Sequence, residues 1–296
     1  MGYSGRYHAA SLAAVFIALA IGILIGAALG SDVISGASDD LEKSLGSDLD
    51  DSRARVKQLE GQLAADRDFE NLIYPAVVAG RLPREQVGLI ALGDLPDGVR
   101  EGVQDAVTPS GAELAEVAVV KEPPDPGALI DAILPQRTRT EPRGTLLERA
   151  GRESGRILVG RQSGFDGLRD GLLARFSGDF RSIDSVVVAR YRPDDMSPRE
   201  EADTETLEDS LIAGLRSTGL NVVGVELSDD ESSSIEYFAD RGLASVDDLD
   251  KQAGKVALVA ALDGAEGSFG VKDTADSLLP DLIGGASPAG AGTAAP

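Results

Sequence analysis

The chain has 296 residues, 42% of them hydrophobic, with 50 acidic against 28 basic side chains and a formal net charge of -22. That balance excludes a nucleic-acid binder, because phosphates would be repelled rather than neutralised, and it disfavours docking onto anionic lipid surfaces. Cysteine is absent and histidine occurs once, at His8, so thiol catalysis, thiolate metal sites and a Ser-His-Asp arrangement in the main body are all excluded.

The first element is an uncharged run from Tyr7 to Ser31. At about 1.5 Å per residue, a helix over residues 9–30 just spans a hydrocarbon core of about 30 Å. A cleaved signal peptide is the competing reading, with a small-residue site at Ala28-Leu29-Gly30. Its hydrophobic core would be unusually long and Arg6 would be its only basic side chain, so we read the run as an uncleaved anchor. Arg6 precedes it, whereas Asp32, Asp39, Asp40 and Glu42 follow it. The positive-inside rule then leaves residues 1–8 as a cytoplasmic tail and places the rest outside the cytoplasmic membrane, in a single pass. Gly22, Gly26 and Gly30 fall on one helix face and would let a second helix backbone approach closely, although small residues are common in membrane helices.

Residues 38–70 are polar with spaced aliphatics. Leu45, Leu49, Ser52, Val56, Leu59, Leu63 and Asp66 follow alternating four- and three-residue steps, which is the seam of a short coiled coil. Ser52, Asp66, Gly46 and Gly61 weaken it, and an amphipathic helix folded back on its own domain is the alternative. Self-association as a homodimer is the preferred reading, because an apolar seam just above a membrane has no other evident cover.

From about Gln86 short apolar runs alternate with helical stretches, which predicts an extracytoplasmic α/β domain over residues 86–283 with a mainly parallel sheet. Strands are predicted at Val87–Leu92, Leu114–Val120, Arg156–Gly160, Ser185–Arg190, Asn221–Leu227 and Val256–Leu262, and helices at Val99–Val107 and Thr204–Ser217. Lys121 to Arg143, with its prolines, reads as loop around a short helix near Leu129–Leu134. The Gly/Ala/Pro/Ser-only segment 284–296 reads as a disordered tail.

The search for chemistry returns little. The first strand runs into Gly93-Asp94-Leu95-Pro96-Asp97-Gly98, which is no phosphate-binding glycine loop, so the domain is Rossmann-like without the phosphate cradle. The clusters Asp194-Asp195, Asp229-Asp230-Glu231 and Asp247-Asp248 lack calcium-loop spacing and are expected in so acidic a chain. For copper(I), the only soft donors are Met1, Met196 and His8, two of them on the cytoplasmic side. No cofactor, metal site or catalytic group is predicted.

Two segments carry a resemblance. Arg6-Tyr7-His8-Ala9-Ala10-Ser11-Leu12-Ala13-Ala14-Val15-Phe16, continuing through Gly22 and Gly26 to Ser31-Asp32, resembles the N-terminal anchor of an actinobacterial family, that of the mycobacterial copper transport protein B. At the other end the matching residues are Ser245-Val246-Asp247-Asp248-Leu249-Asp250, Gly254–Leu262, Gly267-Ser268-Phe269-Gly270-Val271-Lys272 and Ala275–Pro280. Tyr would be expected where Phe269 stands. The resemblance implies copper export or homeostasis at the cell envelope. Through septal coiled-coil relatives, it implies instead a partner of a second membrane protein in peptidoglycan remodelling and cell division. His8, beside Tyr7, reads as an interfacial anchor rather than a metal contact, and the anchor carries no intramembrane charge that would mark an ion path. These residues therefore favour a non-catalytic, membrane-anchored dimeric scaffold over a conduit.

Overall fold

The structure, a computed structural model, describes residues 5–136, 140–160, 165–178 and 183–281, and for residues 5–7 and 29–43 the backbone alone. The predicted tail at 284–296 therefore lies outside the described residues. The chain divides into two units, residues 1–69 and 70–296.

The first unit is carried by one α-helix, α1 (Gly5–Val78), whose last turns belong to the second unit. Within it His8–Ala28 is a stretch of 21 residues, apolar and long enough to cross a bilayer. Its mean hydropathy is 2.5. Residues 44–69 present charged side chains on most of their circumference, with Leu45, Leu49, Val56, Leu59 and Leu63 all at least half exposed.

In the second unit, α1 ends where Gly80 takes a φ of 71°, a conformation glycine enters without strain. Tyr74 and Val78 in its last turns are buried, and the Tyr74 hydroxyl donates to the Ala106 carbonyl at 2.6 Å. There follow β1 (Gln86–Gly93), α2 (Asp97–Val107), β2 (Glu113–Val120), α3 (Pro126–Ile133), α4 (Arg143–Val159), α5 (Phe165–Leu172) and β3 (Leu173–Ser177). The second half runs β4 (Ser185–Tyr191), α6 (Pro198–Arg216), β5 (Asn221–Val225), α7 (Ile235–Asp240), β6 (Ala244–Val246), α8 (Gln252–Leu262) and β7 (Ser268–Phe269).

The strands form one seven-stranded sheet in the order β3-β2-β1-β4-β5-β6-β7. All neighbours are parallel except β2 and β3, so the predicted mainly parallel α/β class holds. Strand side chains alternate between two cores. Ile90, Leu92, Val186, Val188 and Val222 face α3 to α7, whereas Leu89, Val187, Ala189, Val223 and Val225 face α2, α8 and the end of α1. Helices on both faces are what a buried parallel sheet requires, and they explain why its strands read as continuous apolar runs.

Two predicted strands are helices. Arg156–Val159 is the last turn of α4, whose buried positions Leu147, Ala150, Gly151, Ser154, Gly155 and Leu158 recur at helical spacing. Val256–Leu262 lies within α8, buried over nearly all of its circumference; in such a helix the apolar run is continuous and period cannot separate it from a strand. Its three alanines favour the helix.

Candidate functional site: the carboxyl edge of the sheet

Strand order reverses at β1, which has β2 on one side and β4 on the other. Open α/β sheets hold their ligands outside the carboxyl ends of the strands at such a reversal. Here the crevice is closed by main chain. Asp94 N donates to the Tyr191 carbonyl at 2.9 Å. Gly93 takes a φ of 87°, and a Cβ built on it would lie 2.1 Å from the same oxygen. The position where nucleotide-binding folds keep a glycine cradle is therefore occupied by a neighbouring strand.

The open space lies one strand further on. A cleft of about 560 Å³ opens over the ends of β4 and β5, lined by Arg190, Arg192, Met196, Glu201, Asp230 and Ser232 among others. Its arginines are anchored rather than free. Glu208, on α6 and fully buried, accepts from Arg190 Nε at 3.0 and 3.2 Å and from Arg192 Nε at 2.9 Å, with a further contact from Arg192 Nη2. The Arg190 guanidinium also stacks 4.2 Å from the centre of the Tyr237 ring, a cation–π contact that holds its plane. A second carboxyl, Glu122, follows β2 and has both oxygens buried. Burial first, then the neighbouring Glu208 charge, pushes its pKa up to about 8.

On the other side of the cleft the C-terminal residues singled out by the sequence resemblance meet in one network. Lys272 Nζ donates to Glu226 Oε1 at 2.7 Å and to the Asp230 carbonyl at 2.9 Å. Glu226, 3% exposed in its side chain, also accepts from Ser233 Oγ at 2.8 Å and Ser234 N at 2.6 Å. Asp247 takes the main-chain N–H groups of Val271 at 2.7 Å and Lys272 at 3.0 Å. Gly270 is obligatory there, since a Cβ would sit 1.9 Å from Asp247 Oδ1. Ser245 Oγ donates to Ser268 Oγ at 3.1 Å between β6 and β7. These residues form a clasp that ties the segment after β7 across the carboxyl edge.

Asp248, the next residue, is fully buried, and neither carboxyl oxygen has a hydrogen-bond donor. Burial, then the Asp247 and Asp250 charges, pushes its pKa up to about 6.

The remaining predicted residues belong to the first unit. Leu45, Leu49, Val56, Leu59 and Leu63 are on α1, as are Gly22 and Gly26, where a Cβ would meet nothing within 4 Å. The His8 side chain is exposed, and those of Arg6 and Tyr7, like the surroundings of Gly30, lie outside the described residues. Among the described residues no group of three or more His, Cys, Asp or Glu side chains could hold a metal ion. Sequence reasoning missed Glu122, Arg190, Arg192, Glu208 and Glu226. A signal existed for some of them, in charged residues placed directly after buried strands: Arg190 and Arg192 after Val186–Ala189, and Glu226 after Asn221–Val225.

These features define an α/β domain of doubly wound type, following a long helix whose start is apolar enough to cross a membrane. The family described as copper transport outer membrane protein, MctB, matches residues 3–280, and the chain belongs to that family. No curated protein matches it.

Proposed function

We propose that this chain is a copper-transport-related envelope protein that works as a non-catalytic scaffold. It is held in the cytoplasmic membrane by a single pass and is paired with a second copy through α1. Its α/β domain lies outside, where it binds a second envelope protein, the role that the resemblance to septal coiled-coil proteins implies. The observation that carries this reading is the row of exposed apolar side chains Leu45, Leu49, Val56, Leu59 and Leu63 along a stretch of α1, residues 44–68, whose other side chains are mostly polar or charged. Five large aliphatics on one seam are the pattern by which parallel helices pair.

The chemistry of the carboxyl edge supports the non-catalytic part. Arg190, Arg192, Glu226 and Lys272 are each committed to a buried or half-buried partner. No histidine or cysteine stands near them to serve as nucleophile or base. Within the domain, Met196 is the one soft copper ligand that the sequence offers. A single thioether is a poor site for copper(I).

The test uses the full chain in nanodiscs or detergent. Its protein mass is measured by light scattering, and copper(I) and copper(II) are titrated against it in competition with a chelator. The expected result is a dimer that becomes monomeric in a Leu49→Ser, Val56→Ser, Leu59→Ser variant and takes up no copper. A monomer in the parent chain would end the scaffold reading. Stoichiometric tight copper binding would instead establish direct metal handling.

A further inference from the structure

We infer that Glu122 and Glu208 share one proton beneath the cleft, and that removing it draws Arg192 away from Glu208 and resets the cleft floor. The argument begins with hydrogen-bond accounting. Both Glu122 oxygens are buried without a donor. The side chain within hydrogen-bonding reach is the carboxylate of Glu208, itself an acceptor. Two ionised carboxylates cannot satisfy each other, and a buried acceptor left unpaired costs about 1–3 kcal/mol, more when charged. A proton on Glu122 resolves the conflict, because its O–H then donates to Glu208.

Charge counting sets what drives the proton off, since both guanidinium ions act to lower the Glu122 pKa against the effect of burial and Glu208. With the proton in place, the cluster holds two guanidinium ions, one carboxylate and one neutral acid, a net single positive charge around the fully buried Glu208. When the proton leaves to solvent, two carboxylates face two guanidinium ions, and one-to-one pairing becomes possible. Arg190 is tied by its stack on Tyr237. Arg192 is held by Glu208 and has no ring contact among the described residues, so it is the arm that turns toward Glu122 when the charge there changes.

The surrounding charges are accounted for from each element packed here. From α6 comes Glu208, and from the end of β4 come Arg190 and Arg192. From α7 comes Tyr237, whose ring also carries Arg241, itself paired to Asp209 of α6. Beside Gly93, Asp94 is paired with Arg175 of β3, and Lys121 donates to the Asp170 carbonyl. Each of these outer groups already has its own partner, which leaves Glu122 as the group that titrates. The pKa of Glu122, raised to about 8 by burial and by Glu208, places the transition just above neutrality. Because Arg190 and Arg192 line the cleft, its floor changes with pH.

The experiment is a pH titration of the full chain in nanodiscs, with glutamate labelled at the carboxyl carbon and arginine at Nε, followed by NMR. The expected result is one glutamate carboxyl titrating near pH 8, absent in Glu122→Gln, with the Arg192 Nε resonance moving in step. Arg192→Lys assigns that resonance and keeps the charge. Titration of every glutamate below pH 6 would overturn the shared proton, and a high-pH titration with Arg192 stationary would overturn the switch. Should Glu122→Gln fail to fold, the wild-type titration read against Arg192→Lys still decides both points.

Discussion

Two side chains of the C-terminal segment illustrate opposite uses of burial. Asp248 is buried without a donor and its pKa is raised from 3.8 to about 6. An acid whose pKa is higher in the folded chain holds its proton there while the unfolded chain has already released it. Stability therefore falls as pH rises from about 4 to 6 and levels off above, a loss on the order of 2–3 kcal/mol at 1.36 kcal/mol per pKa unit. Asp248→Asn is expected to be more stable than the parent at pH 7 and equal to it near pH 4, as read by urea melts at the two pH values. Lys272 is the reverse case. It neutralises Glu226, which is almost fully buried, so Lys272→Met leaves a charge without its counter-ion. The expected loss is about 3–5 kcal/mol, typical of breaking a buried pair by removing one partner. The same melts check it, and a loss below 1 kcal/mol would show the clasp to be dispensable.

At the scale of elements, α4 and α6 pack close enough to exclude a methyl group at three glycines. A Cβ on Gly155 would lie 2.3 Å from the Leu211 carbonyl oxygen, one on Gly214 2.1 Å from the Arg152 oxygen, and one on Gly151 2.0 Å from Ser210 Oγ. At Gly155 and Gly214 main chain meets main chain, and no rotamer change can relieve an added methyl. Gly155→Ala and Gly214→Ala are each expected to cost about 1–3 kcal/mol, the range for overpacking, despite alanine's better helix propensity. An exposed glycine such as Gly144, with open space around its Cβ, is the control and should gain slightly. Thermal melts of the three variants separate the two effects. The sequence reading looked for glycine-mediated packing in the anchor and missed this one, because Gly151 and Gly155 sit in a helix whose end, Arg156–Gly160, resembles a strand. Apolar runs of four to seven residues were legible as strands where β-branched residues dominate, as in β4 with its Val186-Val187-Val188. They misled where alanine and leucine carry the run, as in α8. The short strands β6 and β7, with 3 and 2 residues, offer too few side chains for any period to show. The ionic core of the carboxyl edge was illegible for another reason. Glu122 is far in the chain from Arg192 and Glu208, and only the sheet's topology brings the three together.

For the whole molecule, charge bears on the proposed pairing of two copies. The chain carries a net charge of -22, and along α1 it is arranged in blocks, with Asp48, Asp50 and Asp51 before Arg53, Arg55 and Lys57. In the proposed dimer, two copies anchored in one bilayer would pair their helices parallel and in register. Each block then faces the same block of the partner, acid against acid and base against base. The seam of Leu49, Val56, Leu59 and Leu63 supplies the attraction, while these flanks oppose it. Salt screens the opposition and leaves the apolar seam intact, the Debye length shrinking from about 30 Å at 0.01 M to about 8 Å at 0.15 M. The dimer is therefore expected to tighten as sodium chloride is raised, as measured by sedimentation equilibrium of the full chain in density-matched detergent. An antiparallel pair would set Asp50 and Asp51 near the partner's basic block and would loosen with salt instead. Reversing the basic block with Arg53→Glu, Arg55→Glu and Lys57→Glu should steepen the salt dependence of a parallel dimer, because the diagonal attraction between one copy's acidic block and the other's basic block becomes repulsion as well. Weakening of the parent dimer by salt would identify paired charges, not the leucine seam, as what holds two copies together.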